Sequence, residues 1–208
     1  MFHVEHMTRA AFETHFNVPR GTIERLAIYE RLLSEWQTRM NLVGSATMPD
    51  IWNRHFADSA QLSQLVPQGK HWVDMGTGAG FPGMVLAAMD WGTVTLVESV
   101  GKKARFLEAL ADEMGLAGTV SIVCGRVEAL PTIGSDVATA RATAPLATLL
   151  DWAIRHVRPG GLHVYPKGRR WAEELKDAET RFSFDLETHP SLTDPEAQIL
   201  IIRDLERT

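Results

Sequence analysis

The residues that could do chemistry gather around one turn. Asp74-Met-Gly76-Thr-Gly78-Ala-Gly80-Phe81-Pro82-Gly83 follows the strand-forming pair Trp72-Val73 and leads into the apolar run Met84 to Met89. A backbone without Cβ atoms can turn sharply at a strand's end and lie against a ligand, and Pro82 suits the first turn of the helix that follows. A carboxylate recurs at Glu98, where Thr93-Val-Thr-Leu-Val ends, roughly 20 residues beyond the turn. An acid there can accept from the two hydroxyls of a ribose. Arg126, Arg141 and Lys167 each follow a further apolar strand pattern and would stand at strand carboxyl ends. A strand, a glycine turn and a helix place a ligand at such ends.

Two nucleotide readings compete. Gly78-Ala-Gly80-Phe-Pro-Gly83 fits the dinucleotide pattern literally. The wider Asp74-x-Gly76-x-Gly78-x-Gly80 is similar to the acid-then-glycine signature of Rossmann-like methyltransferases that use S-adenosyl-L-methionine. Both cofactors carry a ribose, so Glu98 supports either. Asp74 helps to choose, because a carboxylate below the turn can hold the turn or the amino group of a methionine moiety.

The elements that must position these residues follow from length and pattern. The chain has 208 residues, 45% hydrophobic and 23% charged, values of a globular protein able to bury a sizeable core. Its net charge of −5 neither suggests nor excludes nucleic acid. One cysteine, Cys124, excludes an intrachain disulfide and an all-cysteine zinc site. Cys124 follows a buried-looking strand and is expected in the core. No carboxylate cluster has metal-ligand spacing, and His3, His6 and His15 match no metal motif. No apolar stretch reaches a membrane span, and Met1 to Met7 has no basic signal region, so a cytoplasmic protein is expected.

In chain order, Thr22 to Met40 has helical periodicity, and Asp50 can cap a second helix reaching Leu65. His55 and Asp58 share a face of that helix and could form a structural pair. Pro67-Gln-Gly69 is the turn into the nucleotide unit. Then come a helix over Gly101 to Met114, a strand over Val120 to Cys124, a strand over Asp136 to Ala140 and a helix over Ala144 to Val157. Arg158-Pro-Gly-Gly161 reads as a tight turn, followed by a strand over Leu162 to Tyr165 and a charged helix over Arg169 to Ala178. Phe182 to Glu187 and Gln198 to Arg203 read as an antiparallel pair joined by a proline-containing loop. The alternation predicts an α/β fold with helices on both faces of a mainly parallel seven-stranded sheet, its last strand antiparallel. Residues 1–69 form an N-terminal helical extension, and 70–208 the cofactor-binding unit.

Across nearly its full length the chain resembles the bacterial 16S rRNA guanine-N7 methyltransferase family (glucose-inhibited division protein B, RsmG). The residues that carry this are Asn41-Leu-Val, Arg54-His55-Phe-Ala-Asp58-Ser59, Gly76-Thr-Gly-Ala-Gly-Phe-Pro-Gly83, Leu96-Val-Glu98-Ser, Lys102-Lys103-Ala-x-Phe106-Leu107, Gly125-Arg126-Val127-Glu128, Arg141-Ala-x-Ala144 and Lys167-Gly168. Thr143 departs from the pattern, where an aromatic is common, and so does Trp91-Gly92, where Pro-Asp is common. The resemblance implies a class I methyltransferase fold, S-adenosyl-L-methionine as cofactor (S-adenosyl-L-homocysteine as product), and methylation of one guanine in 16S rRNA, free, in the small ribosomal subunit or in an assembly intermediate. It implies cofactor contacts at Gly76, Phe81, Val127 and Glu128, with Arg141 also in the site.

The residue types suit that reaction. Guanine N7 has a lone pair and no proton, so no general base is required, and the task is to align nucleophile and methyl. Arg126, Arg141 and Lys167 would crowd around the methyl and need an anionic partner, RNA phosphate or the cofactor carboxylate. Arg141 could donate to guanine O6, and Arg141→Ala is expected to abolish transfer while leaving the fold intact. Asn41, His55, Asp58, Lys102 and Lys103 are candidates for touching RNA. Other chemistries fit less well. Cytosine C5 transfer needs a cysteine nucleophile, and the loop Arg141-Ala-Thr-Ala-Pro145 lacks the Asn/Asp-Pro-Pro-aromatic pattern of exocyclic-amine transfer. A nicotinamide oxidoreductase lacks an acid–base set, while a small-molecule methyltransferase and a non-catalytic RNA-binding module that retains the cofactor fold stay open. Nothing points to an obligate dimer, and a monomer is expected.

Overall fold

A computed structural model describes residues 7–208. His3 and His6 lie outside the described residues, and His15 is exposed. Helix α1 (Arg9–Phe16) opens on Thr8, whose hydroxyl accepts the Ala11 amide at 3.2 Å, and ends at Asn17 in the left-handed conformation. Its one buried residue, Phe12, leaves no periodicity to read, so the sequence gives no sign of this helix. In α2 (Arg20–Gln37), Ile23, Leu26, Tyr29 and Leu33 fall on one buried face. The helix stops where the Gln37 side-chain carbonyl takes the amides of Leu42 and Val43 at 2.9 and 3.1 Å.

The helix expected from Asp50 to Leu65 is not regular. A 3₁₀ turn over Ser45–Asp50 is followed by a wide π turn over Trp52–Ala57, by α3 (Asp58–Ala60) and by a second 3₁₀ turn over Gln61–Gln64. Asp50 closes the first turn instead of capping a helix, and its carboxylate accepts from the Asn53 side chain at 3.2 Å. The extra residue in a π turn redirects the side chains around it.

The sheet holds β1 (Lys70–Met75), β2 (Gly92–Glu98), β3 (Val120–Cys124), β4 (Ser135–Thr139), β5 (Val157–Lys167), β6 (Phe182–Pro190) and β7 (Gln198–Arg207). Its order is β3-β2-β1-β4-β5-β7-β6, parallel through β5, with β7 antiparallel to both neighbours. Helices α4 (Gly83–Ala88), α5 (Gly101–Glu113), α6 (Leu146–Ala153) and α7 (Trp171–Glu179) connect the strands. Alternate residues of β1 feed opposite faces. Trp72 joins the core under α2, α4 and α5, and Val73 and Met75 join the core under α6. The first core also takes Phe12, Leu26 and Phe56, so the N-terminal helices share it with the sheet. Strand order reverses between β1 and β4, and the crevice beyond such a reversal is where ligands bind in open α/β sheets.

Two local expectations are corrected. Residues 158–161 are not a turn but part of β5, whose pairing with β4 shifts register between Ser135 and Val137 to accommodate the glycines. Cys124 is exposed, not core, because β3 is an edge strand and Cys124 is its last residue.

His163 on β5 is buried without a charged partner, and burial pulls its pKa down to about 4. His55 is held lower still, at about 3, by burial and by the cations of Arg141 and Arg54. Each histidine is neutral in the fold and protonates first in the unfolded chain. The stability from this is complete above pH 6.5 and is lost as pH falls toward the folded pKa. Asp74, raised by burial to about 6, works the other way and regains stability on acidification. The histidines outweigh it. Between pH 7 and pH 5, His163 alone costs about 2 kcal/mol, so urea unfolding of His163→Leu should lose about that much less than the parent. Equal losses in the two proteins would refute this.

Candidate active site

A cleft of about 950 Å³ opens at the carboxyl ends of β1, β4 and β5. It is walled by the turn after β1, by Glu98 to Val100, by the loop 141–145, by Pro166 to Gly168, by the loop between β6 and β7, and by Arg54, His55 and Asp58. A second cavity of about 110 Å³ lies beside it between Gly125, Arg126, Val127, Glu128 and Trp152. The two share Gly76, Ser99 and Thr143.

The turn is held from below. Oδ2 of Asp74 accepts from the Thr77 hydroxyl at 2.6 Å and from the Gly83 amide at 2.8 Å. Asp74 is fully buried, lines neither cavity and braces the turn through Oδ2. Glu98 stands at the cleft. Its Oε2 accepts the Gly78 amide at 2.9 Å and its Oε1 the Val100 amide at 2.8 Å. Each oxygen keeps a second lone pair for a ligand hydroxyl. Gly78 has φ +62° and open space where a Cβ would point. Gly80 has no such space: a Cβ there would stand 2.6 Å from the Tyr29 hydroxyl. Gly80 lines neither cavity and is a packing glycine.

Tyr29, from α2, donates to the Ala79 carbonyl at 2.6 Å and stacks on Phe81, ring centroids 5.0 Å apart. His55 also stacks on Phe81 at 4.8 Å, and the Arg141 guanidinium lies 4.7 Å from the same ring. The turn is thus wired to the N-terminal helices through one aromatic ring. Nothing in the sequence singles out Tyr29 for this role.

Arg141 is held by four groups. Nη1 donates to Asp58 Oδ2 and to the Arg54 carbonyl, both at 3.0 Å, and Nη2 donates to His55 Nδ1 at 2.8 Å. Phe81 covers it. Because arginine only donates, His55 Nδ1 must be the acceptor and Nε2 must carry the proton. Nε2 then donates to Thr47 Oγ1 at 2.8 Å, and the Thr47 hydroxyl donates to the Gly44 carbonyl at 2.8 Å. Asp58 Oδ1 accepts from Thr193 at 2.8 Å and from Gln61 at 3.0 Å. The mutual pair expected of His55 and Asp58 does not form: their polar atoms hold Arg141 and its supports, and both residues line the cleft.

The expected crowd of bare cations is corrected. Lys167 is buried and bonds Glu174 at 2.7 Å and the Ala144 carbonyl at 2.9 Å. Arg126 sits in the smaller cavity with its side chain 78% exposed, 3.5 Å from Glu128. Each of the three has a carboxylate of its own, and of the three Arg141 and Lys167 line the main cleft while Arg126 lines the smaller cavity. Gly76, Gly78, Phe81 and Glu98 line that cleft, and Val127 and Glu128 line the small cavity. Lys103 lines the cleft, while Asn41 and Lys102 are exposed outside it. Thr143 folds over Gly76, donating to the Gly76 carbonyl at 3.1 Å, and divides the two cavities.

The family model described as rRNA small subunit methyltransferase G, GidB, matches residues 22–200. A protein of Hyphomonas neptunium named ribosomal RNA small subunit methyltransferase G is 46% identical over 96% of this chain and 96% of its own length. One of the same name from Rhodospirillum centenum is 45% identical over 93% of this chain and 89% of its own. Among solved structures, M. jannaschii TYW2 in complex with AdoMet superposes with a TM-score of 0.57 over 76% of this chain and 78% of that one, at 15% identity. A SAM-dependent methyltransferase from Aquifex aeolicus gives 0.56 over 74% and 92%, also at 15%. At that identity the structures show the shared fold.

Proposed function

The chain belongs to the rRNA small subunit methyltransferase G family, GidB, and from that membership we propose that it transfers a methyl group from S-adenosyl-L-methionine to N7 of one guanine in 16S rRNA. The observation that carries the reading is the pairing of an open glycine turn and Glu98 with a fixed arginine in one cleft.

The residues present fit the cofactor. Gly78 leaves its outer face open, Glu98 has acceptor capacity for ribose hydroxyls, and Val127 and Glu128 wall the adjoining cavity. Bound there, the cofactor supplies an electrophilic sulfonium methyl. Gly76, Gly78 and Phe81 would lie against it, and Asp74 and Gly80 would keep the turn in shape from beneath. Thr143 must swing off Gly76 for one ligand to span both cavities.

The reaction needs no general base, because guanine N7 carries no proton to remove. His55 cannot serve as one, since both ring nitrogens are engaged and Arg141 opposes its protonation. Arg141 is placed to donate to guanine O6 and leave N7 unblocked. Lys167 neutralises Glu174 at the cleft floor, and Lys103 and Arg54 present charge to the RNA backbone. In this reading residues 70–208 bind the cofactor, residues 1–69 build one wall of the substrate cleft, and the enzyme works as a monomer on ribosomal RNA in the cytoplasm. No helix among the described residues is long and apolar enough to cross a membrane.

The test is transfer from labelled S-adenosylmethionine to small-subunit rRNA, free and ribosome-bound, with the product nucleoside identified by mass spectrometry. 7-Methylguanosine is expected. A different methylated nucleoside, or cofactor binding without transfer to either form, would refute the proposal.

A further inference from the structure

Four carboxylates line the main cleft: Asp58, Glu98, Glu174 and Asp194. Three are committed on both oxygens or to a cation. Asp58 serves Arg141, Thr193 and Gln61, Glu98 takes two turn amides, and Glu174 takes Lys167 and the Leu146 amide at 2.8 Å. Asp194 differs. Its Oδ1 accepts the Glu196 amide at 3.0 Å, and its Oδ2 has no protein partner. A carboxylate with a free oxygen is a poor wall for a cleft that takes RNA unless it meets hydrogen-bond donors, because it repels phosphates.

The loop that carries Asp194 is built to hold it still. The Ala197 amide donates to the Asp194 carbonyl, and the Ser191 amide to the Ala197 carbonyl, both at 3.1 Å. The Leu192 amide donates to the Gln61 side chain at 2.7 Å. Thr193 bonds Asp58, which bonds Arg141. A chain of hydrogen bonds therefore runs from Arg141 through Asp58 to Thr193, the residue before Asp194, and Arg141, Asp58 and Asp194 all line the cleft.

We propose that Asp194 reads the target base: its free carboxylate oxygen accepts from N1–H and N2–H₂ of guanine while Arg141 donates to O6. The inference rests on the guanine-N7 reading above. Guanine's Watson–Crick edge offers an acceptor, O6, followed by two donors, and the cleft offers a donor in Arg141 and an acceptor in Asp194. Adenine presents the reverse order, N6–H₂ and then the N1 acceptor, and is refused at both places. Uracil and cytosine each offer a single donor position. N7 is on the far side of O6 from N1, so a base held by this edge keeps N7 free beside Arg141 and the turn.

The experiment compares methyl transfer by the parent, Asp194→Asn and Asp194→Ala on small-subunit RNA, natural and with inosine at the target position. Asparagine keeps an acceptor for the Glu196 amide but turns an NH₂ toward the base donors. Both variants should lose about 10- to 100-fold in kcat/KM, with S-adenosylhomocysteine affinity and melting temperature unchanged. Inosine lacks the N2 amine, so it should penalise the parent and add little to the loss in Asp194→Ala. If the parent makes 7-methylguanosine and the variants stay within twofold of it, or the inosine penalty is equal in parent and Asp194→Ala, the assignment of Asp194 fails and the function stands. If the parent methylates another nucleoside, the guanine-N7 reading fails and the Asp194 assignment falls with it.

Discussion

Arg141→Lys is expected to lower methyl transfer about 100-fold, and Arg141→Ala to remove it. The guanidinium makes three hydrogen bonds in three directions, to Asp58, to the Arg54 carbonyl and to His55. A lysine ammonium keeps the charge beside Asp58 but cannot hold the fixed planar fork that also reaches His55 and the base. Alanine goes further. It takes the cation from the Asp58 carboxylate, whose side chain is only 18% exposed, and leaves His55 Nδ1 without a donor. Removing one partner of such a pair costs about 3 kcal/mol. The expectation from sequence that Arg141→Ala would leave the fold intact is therefore corrected: Arg141 ties the end of β4 to the π turn, and alanine should lower the melting temperature as well as activity. Turnover and melting curves of both variants check this. A lysine variant with near-parental turnover would remove Arg141 from the chemistry, whatever its stability.

The difference between what was legible and what was not follows the range of the interaction. Local rules found β1, the glycine turn, Glu98 and the antiparallel β7, because alternation, glycine spacing and turn residues act over a few positions. The purpose of each glycine was hidden. Gly78 and Gly80 are two apart in one motif, yet one faces open space and the other faces Tyr29, which is 51 positions earlier in the chain. Charge was misread for the same reason. Arg126, Arg141 and Lys167 looked like unpaired cations because Asp58 and Glu174 sit on elements that only the fold brings to them. The partner of Arg126, Glu128, is two positions on and lay in plain view. The π turn has no sequence sign beyond a helical run, and it is this turn that brings Arg54, His55 and Asp58 to bear on one arginine.

Gly80→Ala and Gly78→Ala should separate folding from cofactor binding. At Gly80, with φ +103°, a Cβ would stand 2.6 Å from the Tyr29 hydroxyl, 3.0 Å from Met84 Cβ and 3.1 Å from Leu107 Cδ2. Tyr29 cannot yield freely: it is fully buried, stacked on Phe81 and bonded to the Ala79 carbonyl. Backbone strain and overpacking together should cost about 3–5 kcal/mol. In a chain of this size that lowers the melting temperature by roughly 10–15 °C. Gly78→Ala meets no atom within 4 Å, so it carries only the left-handed strain at φ +62°, about 1–2 kcal/mol. Its methyl, however, points into the cleft beside Glu98, whose carboxylate the Gly78 amide fixes. The folded variant should bind S-adenosylhomocysteine at least about 10-fold more weakly, equivalent to roughly 1.4 kcal/mol. Thermal unfolding with calorimetric titration reads both effects. Parental affinity in Gly78→Ala would mean that the cofactor does not lie over that glycine. A parental melting curve in Gly80→Ala would mean that Tyr29 is not seated against the turn, and the link from α2 to the active site would have to be abandoned.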